Sequence, residues 1–179
     1  MKPVAFEYVA AHSLEEALAA LATGGDDAKP IAGGQSLVPA LNLRLVRPTL
    51  LVDLNHAGLD ALTADGELAV GATVRQAALG HCAEAHPLVR EALPHLGHTA
   101  TRSRGTVGGS VAHADGAAEL PLCLVALDGA VLAEGPAEDD QSPLLDEAVG
   151  RFRVRPVGCD LATLLAAPDR DGRPEVPLL

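Results

Sequence analysis

The first 53 residues alternate between short apolar runs and helical periodicity, and this alternation limits the architecture more than any other feature of the chain. Pro3 to Tyr8 reads as a short strand. Ser13-Leu14-Glu15-Glu16 matches a capping box: the Ser13 hydroxyl accepts from the N–H three residues on, and Glu16 reaches back toward the cap. Leu14, Ala17, Leu18 and Leu21 recur at helical spacing until Gly24-Gly25 ends the helix. Ala28 to Ile31 predicts a second strand, Leu37 to Leu45 a short helix with Pro39 in its first turn, and Leu50 to Asp53 a third strand. Strands joined through helices run in the same direction, so residues 1–53 are expected to form a small parallel sheet with crossover helices.

Residues 54–135 read as a second unit of further short strands and helices. Asp65-Gly66 is a turn signal ahead of the alternating Leu68 to Val70, and Val74 to Cys82 has helical spacing. Pro87 is expected to open another helix with Leu88, Ala92 and Leu93 on one face. Ala117 to Leu127 is long enough for a helix, Pro121 being tolerated in its first turn, and Ala130 to Ala133 predicts a strand. After Glu134 the character changes. The last 46 residues hold 10 acidic and 5 basic side chains, including the run Glu138-Asp139-Asp140, and show little period. Residues 136–179 are therefore expected to form a partly irregular tail that proteases remove easily, with one turn or strand at Leu161 to Ala166 and a mobile stretch from Pro168 to Pro177.

Composition narrows the function. With no Trp, one Tyr and two Phe, the core must be built from Leu, Val and Ala, and no aromatic surface is available to stack nucleic-acid bases. A formal charge of -11 makes nucleic acid or an anionic membrane an unsuitable partner. No run approaches the roughly 18 apolar residues of a membrane helix, and Met1 to Ala10 lacks an export signal's basic start and apolar core, so a cytoplasmic location is expected. Cys82, Cys123 and Cys159 are widely spaced and odd in number, which argues against a disulfide framework, a metal site or an iron-sulfur cluster held by this chain.

Two glycine loops carry the chemistry. Ala32-Gly33-Gly34-Gln35-Ser36 lies between a strand and the helix that starts at Leu37, where backbone N–H groups are left unpaired and attract phosphate. The paired glycines permit positive φ and close approach of an anion, and Ser36 adds a hydroxyl donor. Arg104-Gly105-Thr106-Val107-Gly108-Gly109-Ser110 offers the same chemistry with two hydroxyls. Two such loops could clamp a pyrophosphate from opposite sides, whereas a single one could equally be an ordinary turn. Neither has Rossmann or Walker A spacing.

Together with Asn42-Leu43-Arg44, Leu51-Val52-Asp53-Leu54, Ala112-His113-Ala114-Asp115 and Ala118-Glu119-Leu120-Pro121, these loops resemble the FAD-binding medium subunit of molybdenum hydroxylases of the carbon monoxide dehydrogenase and xanthine dehydrogenase type, over about residues 3–133. The resemblance implies an α/β (α+β) chain with the PCMH-type FAD-binding fold, a small parallel βαβ subdomain over residues 1–53 followed by a second subdomain over 54–135 with a mixed or antiparallel sheet and helices. It places FAD contacts at Ala32, Gly33, Gly34, Gln35, Ser36 and Leu37, and at Thr106, Gly108, Gly109 and Ser110. Asp115 and Glu119 would face the adenosine half, where a carboxylate accepts from ribose hydroxyls; Gly116 stands where relatives carry Pro. Arg102 and Arg104 could offset the acidic field, and His98 and His113 could face the ligand.

No catalytic side chain is implied. The chain would be an electron-transfer flavin station between a [2Fe-2S] small subunit with a molybdopterin large subunit behind it and an external acceptor, the redox chemistry belonging to the cofactor. Such relatives continue into a third domain that covers part of the flavin ring, and this sequence departs from them after Glu134, which implies a more exposed ring and weaker binding. A second reading stays open: a non-redox scaffold or ligand-binding module that kept this fold.

Overall fold

The computed structural model describes residues 2–65, 67–134 and, for the backbone, 149–154. Strands β1 (Glu7–Ala10), β2 (Ala28–Ile31) and β3 (Leu50–Asp53) form a parallel sheet in the order β1-β3-β2. Register sets Glu7 and Ala28 on either side of Leu50, and Ala10 and Ile31 on either side of Asp53. β1 begins later than the sequence predicts because its pairing opens with the Glu7 N–H on the Thr49 carbonyl at 2.7 Å, ahead of which Pro3 has no N–H to offer. Leu51 and Val52 point to opposite faces of the central strand and both are buried, so this sheet is covered on both sides. Pro30 is admitted on β2 because that strand lies at the edge.

Helix α1 (Leu14–Gly24) buries Ala17 and Leu21. Its start follows the sequence reading with one change: Ser13 Oγ accepts from the Glu16 N–H at 3.1 Å, but the Glu16 carboxylate accepts from the His12 N–H at 2.8 Å, one residue before the cap. Helix α2 (Leu37–Asn42) is shorter than the Leu37 to Leu45 span expected, since Arg44 turns to φ 59°, which a continuing right-handed helix forbids.

A second sheet is antiparallel in the order β4-β5-β7-β6, with β4 (Leu62–Asp65), β5 (Glu67–Gly71), β6 (Ala130–Glu134) and β7 (Val149–Val154). The turn signal at Asp65-Gly66 sits where Asp65 pairs with Glu67. β7 is an inner strand bonded to both β5 and β6, so a stretch that reads as part of an irregular acidic tail completes the sheet. The expectations for Glu138 to Asp140, Cys159, Leu161 to Ala166 and Pro168 to Pro177 lie outside the described residues.

Between β5 and β6 run α3 (Gln76–Gly80), α4 (Pro87–Ala92), a 3-10 turn at Leu93–His95, α5 (Thr99–Arg104), α6 (Val107–His113) and α7 (Glu119–Ala126). α4 starts at Pro87 as expected, with His86 Nδ1 accepting the Leu88 N–H at 3.2 Å. α3 is shorter than the spacing suggested, because Arg75 is extended at ψ 139° and bridges antiparallel to Thr106. The core has the aliphatic character that the scarcity of aromatics requires. It runs without a break from Ala17, Leu21 and Val52 through Leu54, Ala57 and Leu59 to Val70, Val107 and Leu120. Each fully buried Val or Leu contributes about 1.5–3 kcal/mol.

Candidate functional site

The two glycine segments meet in space. A Cβ built on Gly33 would stand 2.4 Å from the Arg104 carbonyl oxygen and 2.9 Å from Gly105 Cα, so the first loop lies backbone-on-backbone against the start of the second. Beside this seam is a cleft of about 550 Å³. All twelve residues that the resemblance singles out, Ala32 to Leu37, Thr106, Gly108, Gly109, Ser110, Asp115 and Glu119, line it. The volume falls within the range of about 300–1,000 Å³ usual for ligand and cofactor sites.

The loops differ in what they offer. Among the described residues, none of the five N–H groups from Ala32 to Ser36 donates to another group of the chain. Gly34 holds φ +68°, and Ser36 makes no capping bond to α2, which leaves its hydroxyl free to turn. This segment offers donors without internal acceptors on residues that line the cleft, a composition suited to an anion.

The second segment is not a loop of that kind. Thr106 is the N-cap of α6, and Val107 to Ser110 are its first turn. The Val107 N–H donates to the Val74 carbonyl and the Gly108 N–H to the Ala72 carbonyl, both at 2.9 Å. The Ser110 N–H donates to the Thr106 carbonyl at 3.2 Å. Thr106 Oγ1 accepts from the Gly109 N–H at 3.1 Å. The expectation of open N–H donors here is therefore corrected: this side of the cleft contributes space and hydroxyls. A Cβ on Gly108 would be 2.7 Å from Ala72 Cα and carbonyl oxygen, whereas exposed Gly109 meets only Thr106 Oγ1.

A polar chain absent from the sequence reading ties the segments together. The Tyr8 hydroxyl donates to Asp53 Oδ2. Asp53 Oδ1 accepts from the Asn55 backbone N–H at 2.9 Å and from Asn55 Nδ2 at 2.5 Å. Asn55 Nδ2 also donates to the Ala32 carbonyl at 2.9 Å, which fixes the first loop. Arg75 Nη2 donates to Asn55 Oδ1 at 2.6 Å, while its Nη1 donates to the Arg104 carbonyl at 2.5 Å, which fixes the second. Burial pushes the Asp53 carboxyl up, but the hydrogen bonds from Tyr8 and Asn55 outweigh it, so the group ionises below the usual aspartate value. The carboxylate form is the one that holds this chain at neutral pH.

Arg75→Met should leave Asn55 Oδ1 and the Arg104 carbonyl without their donor while keeping the length of the side chain. We expect about 1–2 kcal/mol of lost stability, read as a lower melting temperature. A melting temperature equal to wild type would show that the clamp carries no weight.

Asp115 and Glu119 also line the cleft. Asp115 Oδ1 also accepts from the Ala117 N–H at 2.9 Å, and Glu119 opens α7. His113 lines the cleft, whereas His98 is the N-cap residue of α5. Arg102 is not among the residues lining the cleft, and its Nη1 donates to the carbonyls of Pro94 at 3.3 Å, Leu96 at 2.8 Å and Gly97 at 2.9 Å. Lys29, on the edge strand, is the one Lys or Arg among the described residues lining the cleft. Sequence reasoning missed it, and its place three residues before the first loop is the signal that could have found it.

The chain matches the family model described as the FAD binding domain in molybdopterin dehydrogenase over residues 4–155, a span that includes β7. It is 49% identical over 157 residues to the 6-hydroxypseudooxynicotine dehydrogenase complex subunit alpha of Paenarthrobacter nicotinovorans, covering 85% of this chain and 53% of the relative. It is 38% identical over 144 residues to the caffeine dehydrogenase subunit beta of Pseudomonas sp. strain CBB1, covering 75% and 47%. The chain thus spans about half the length of these curated relatives. Among solved structures, a carbon monoxide dehydrogenase from Hydrogenophaga pseudoflava superimposes with a TM-score of 0.80 at 30% identity, covering 88% of this chain and 61% of that one.

Proposed function

Because the chain belongs to the family of FAD-binding domains of molybdopterin dehydrogenases, we propose that it binds FAD in the cleft between the two glycine segments and passes electrons within a multisubunit dehydrogenase. The observation that carries this reading is the run of N–H groups from Ala32 to Ser36 without acceptors of their own, on residues that line one cleft together with Gly108 and Gly109. An FAD pyrophosphate needs donors of this kind, and an acidic protein can supply them through backbone dipoles, with Lys29 as local cation. When bound, FAD would supply the redox chemistry.

The proposed contacts are Ala32 to Leu37 on one side and Thr106, Gly108, Gly109 and Ser110 on the other. Ser36 and Ser110 offer hydroxyls, and Asp115 and Glu119 accept from the sugar hydroxyls of the adenosine half. The proposed partners are an iron-sulfur chain and a molybdopterin chain. In support, relatives are named as a medium chain or as one subunit of a dehydrogenase complex. No described helix is long and apolar enough to cross a membrane.

The test is direct. Purified full-length protein is titrated with FAD and followed by flavin absorbance, flavin fluorescence and thermal melting. Ligand at one hundred times its dissociation constant stabilises by about 2.7 kcal/mol, which for a chain of this size raises the melting temperature by roughly 5–10 °C. Protein that stays colourless and shows no shift would overturn the proposal. Co-purification with an iron-sulfur chain and a molybdopterin chain is the expected outcome from the native host.

A further inference from the structure

Helix α2 and the turn that follows it have two sides. Leu37, Ala40 and Val46 line the cleft, whereas Leu43 and Leu45 are 58% and 75% exposed. The end of the helix fixes this arrangement. The Arg44 N–H donates to the Leu41 carbonyl at 3.0 Å and the Leu45 N–H to the Ala40 carbonyl at 2.9 Å, the paired bonds of a Schellman motif with Arg44, at φ 59°, in the place that favours glycine. Such a motif usually tucks the residue after the left-handed one against its own helix, yet Leu45 stands in solvent. A left-handed Arg is strained and an exposed leucine gains little from folding, so local stability accounts for neither residue.

Charge marks the same face. Residues 28–52 contain Lys29, Arg44 and Arg47 and no Asp or Glu, in a chain of formal charge -11. Arg44 and Arg47 are exposed; Arg44 Nε donates to the carbonyl of exposed Lys2 at 3.2 Å, and Arg47 Nε to the Arg44 carbonyl at 3.3 Å, so three cations gather around the two leucines. Among the described residues neither guanidinium pairs with a carboxylate. Exposed apolar side chains beside uncompensated arginines have the composition of a protein interface, apolar at its centre and polar at its rim. We propose that this face docks the iron-sulfur chain, through a surface on that chain that is apolar and acidic. A second copy of this chain seated symmetrically would set Arg44 and Arg47 against themselves. A partner placed here is separated from the cleft by α2 alone, about 10 Å of helix, which keeps it close to the cofactor whose electrons it exchanges.

This docking face rests on the multisubunit reading above, and the experiment separates the two. Tagged full-length wild type, Leu45→Asp, Leu43→Asp and Val125→Asp are expressed in the native host, and each is measured for flavin, for co-purified iron-sulfur chain and for melting temperature. Leu45→Asp should melt and retain flavin as wild type does, because the side chain is exposed and outside the cleft, while carrying at least about tenfold less iron-sulfur chain. Leu43→Asp should do the same from the other side of Arg44. Val125→Asp, an equally exposed apolar position on α7, should keep the partner. Retention of the iron-sulfur chain by both leucine variants, or an equal loss from Val125→Asp, overturns the docking face. So does a wild-type protein that self-associates when alone and becomes monomeric with Leu45→Asp, since the face then belongs to a second copy. Wild type that carries flavin and no iron-sulfur chain overturns the docking face and the proposed partner together, whereas wild type that carries the partner and no flavin overturns the FAD reading alone.

Discussion

Gly33→Ala is expected to weaken FAD binding by about ten- to a hundredfold, the larger part of the effect coming from one methyl group. Alanine's Cβ would stand 2.4 Å from the Arg104 carbonyl oxygen and 2.9 Å from Gly105 Cα, and neither obstacle is a side chain that can rotate away. The segments must part by roughly an ångström to reach ordinary contact, and overpacking of this kind costs about 1–3 kcal/mol. Separation also draws the Arg104 carbonyl from Arg75 and the Ala32 carbonyl from Asn55, because both sit on the chain that spans the seam. The row of donors from Ala32 to Ser36 then no longer faces the α6 turn at the spacing one diphosphate requires. Calorimetric or fluorescence titration of the variant is the measurement, with a melting curve beside it. Wild-type affinity in Gly33→Ala would mean that the seam plays no part in holding the cofactor.

The seam also shows which parts of the site were legible in the residues. The first loop could be read because its geometry is local: a strand ends at Ile31, two glycines follow, and a helix begins at Leu37. The parallel sheet was legible for the same reason, each element being announced by period and by a cap such as Ser13. The second segment has a similar sequence and different chemistry. Two of its N–H groups, those of Val107 and Gly108, are taken by the carbonyls of Val74 and Ala72, more than thirty residues earlier in the chain, and nothing in Gly-Thr-Val-Gly-Gly-Ser announces those acceptors. Helix α6 through a pair of glycines runs against intrinsic propensity and is held by these long-range bonds.

The other omissions have the same origin. Asn55 and Arg75 are ordinary polar residues until the fold brings the carbonyls of Ala32 and Arg104 to them. β7 was obscured because its alternation, Val149 to Val154, is short, lies among charges, and gains meaning only from the gap between β5 and β6. Where the stabilising partner is distant in sequence, residue pattern alone does not carry the information.

Gly109→Val is expected to abolish detectable FAD binding while the protein stays folded, and its neighbour is the control. Gly109 is exposed, and a Cβ there meets a single atom, Thr106 Oγ1 at 2.7 Å. Valine would push that hydroxyl aside and break the cap it makes to the Gly109 N–H, a loss of about 1 kcal/mol. The few tenths of a kcal/mol that valine gains over glycine in a helix offset part of this, so the melting temperature should fall by only about 1–3 °C. Gly109 lines the same cleft as Ala32 to Ser36, so the branched side chain is expected to enter the space proposed for the pyrophosphate. Gly108→Ala reverses the balance: its Cβ collides with Ala72 Cα, Cβ and carbonyl oxygen, all at 2.7 Å, so β5 and α6 must separate and the fold itself should lose about 1–3 kcal/mol. Adjacent glycines are thus assigned opposite duties, one to the packing of the helix on the sheet and one to the ligand. Flavin retained by Gly109→Val at the wild-type level, or a Gly108→Ala protein as stable as wild type, would show that the two duties have been assigned to the wrong glycines.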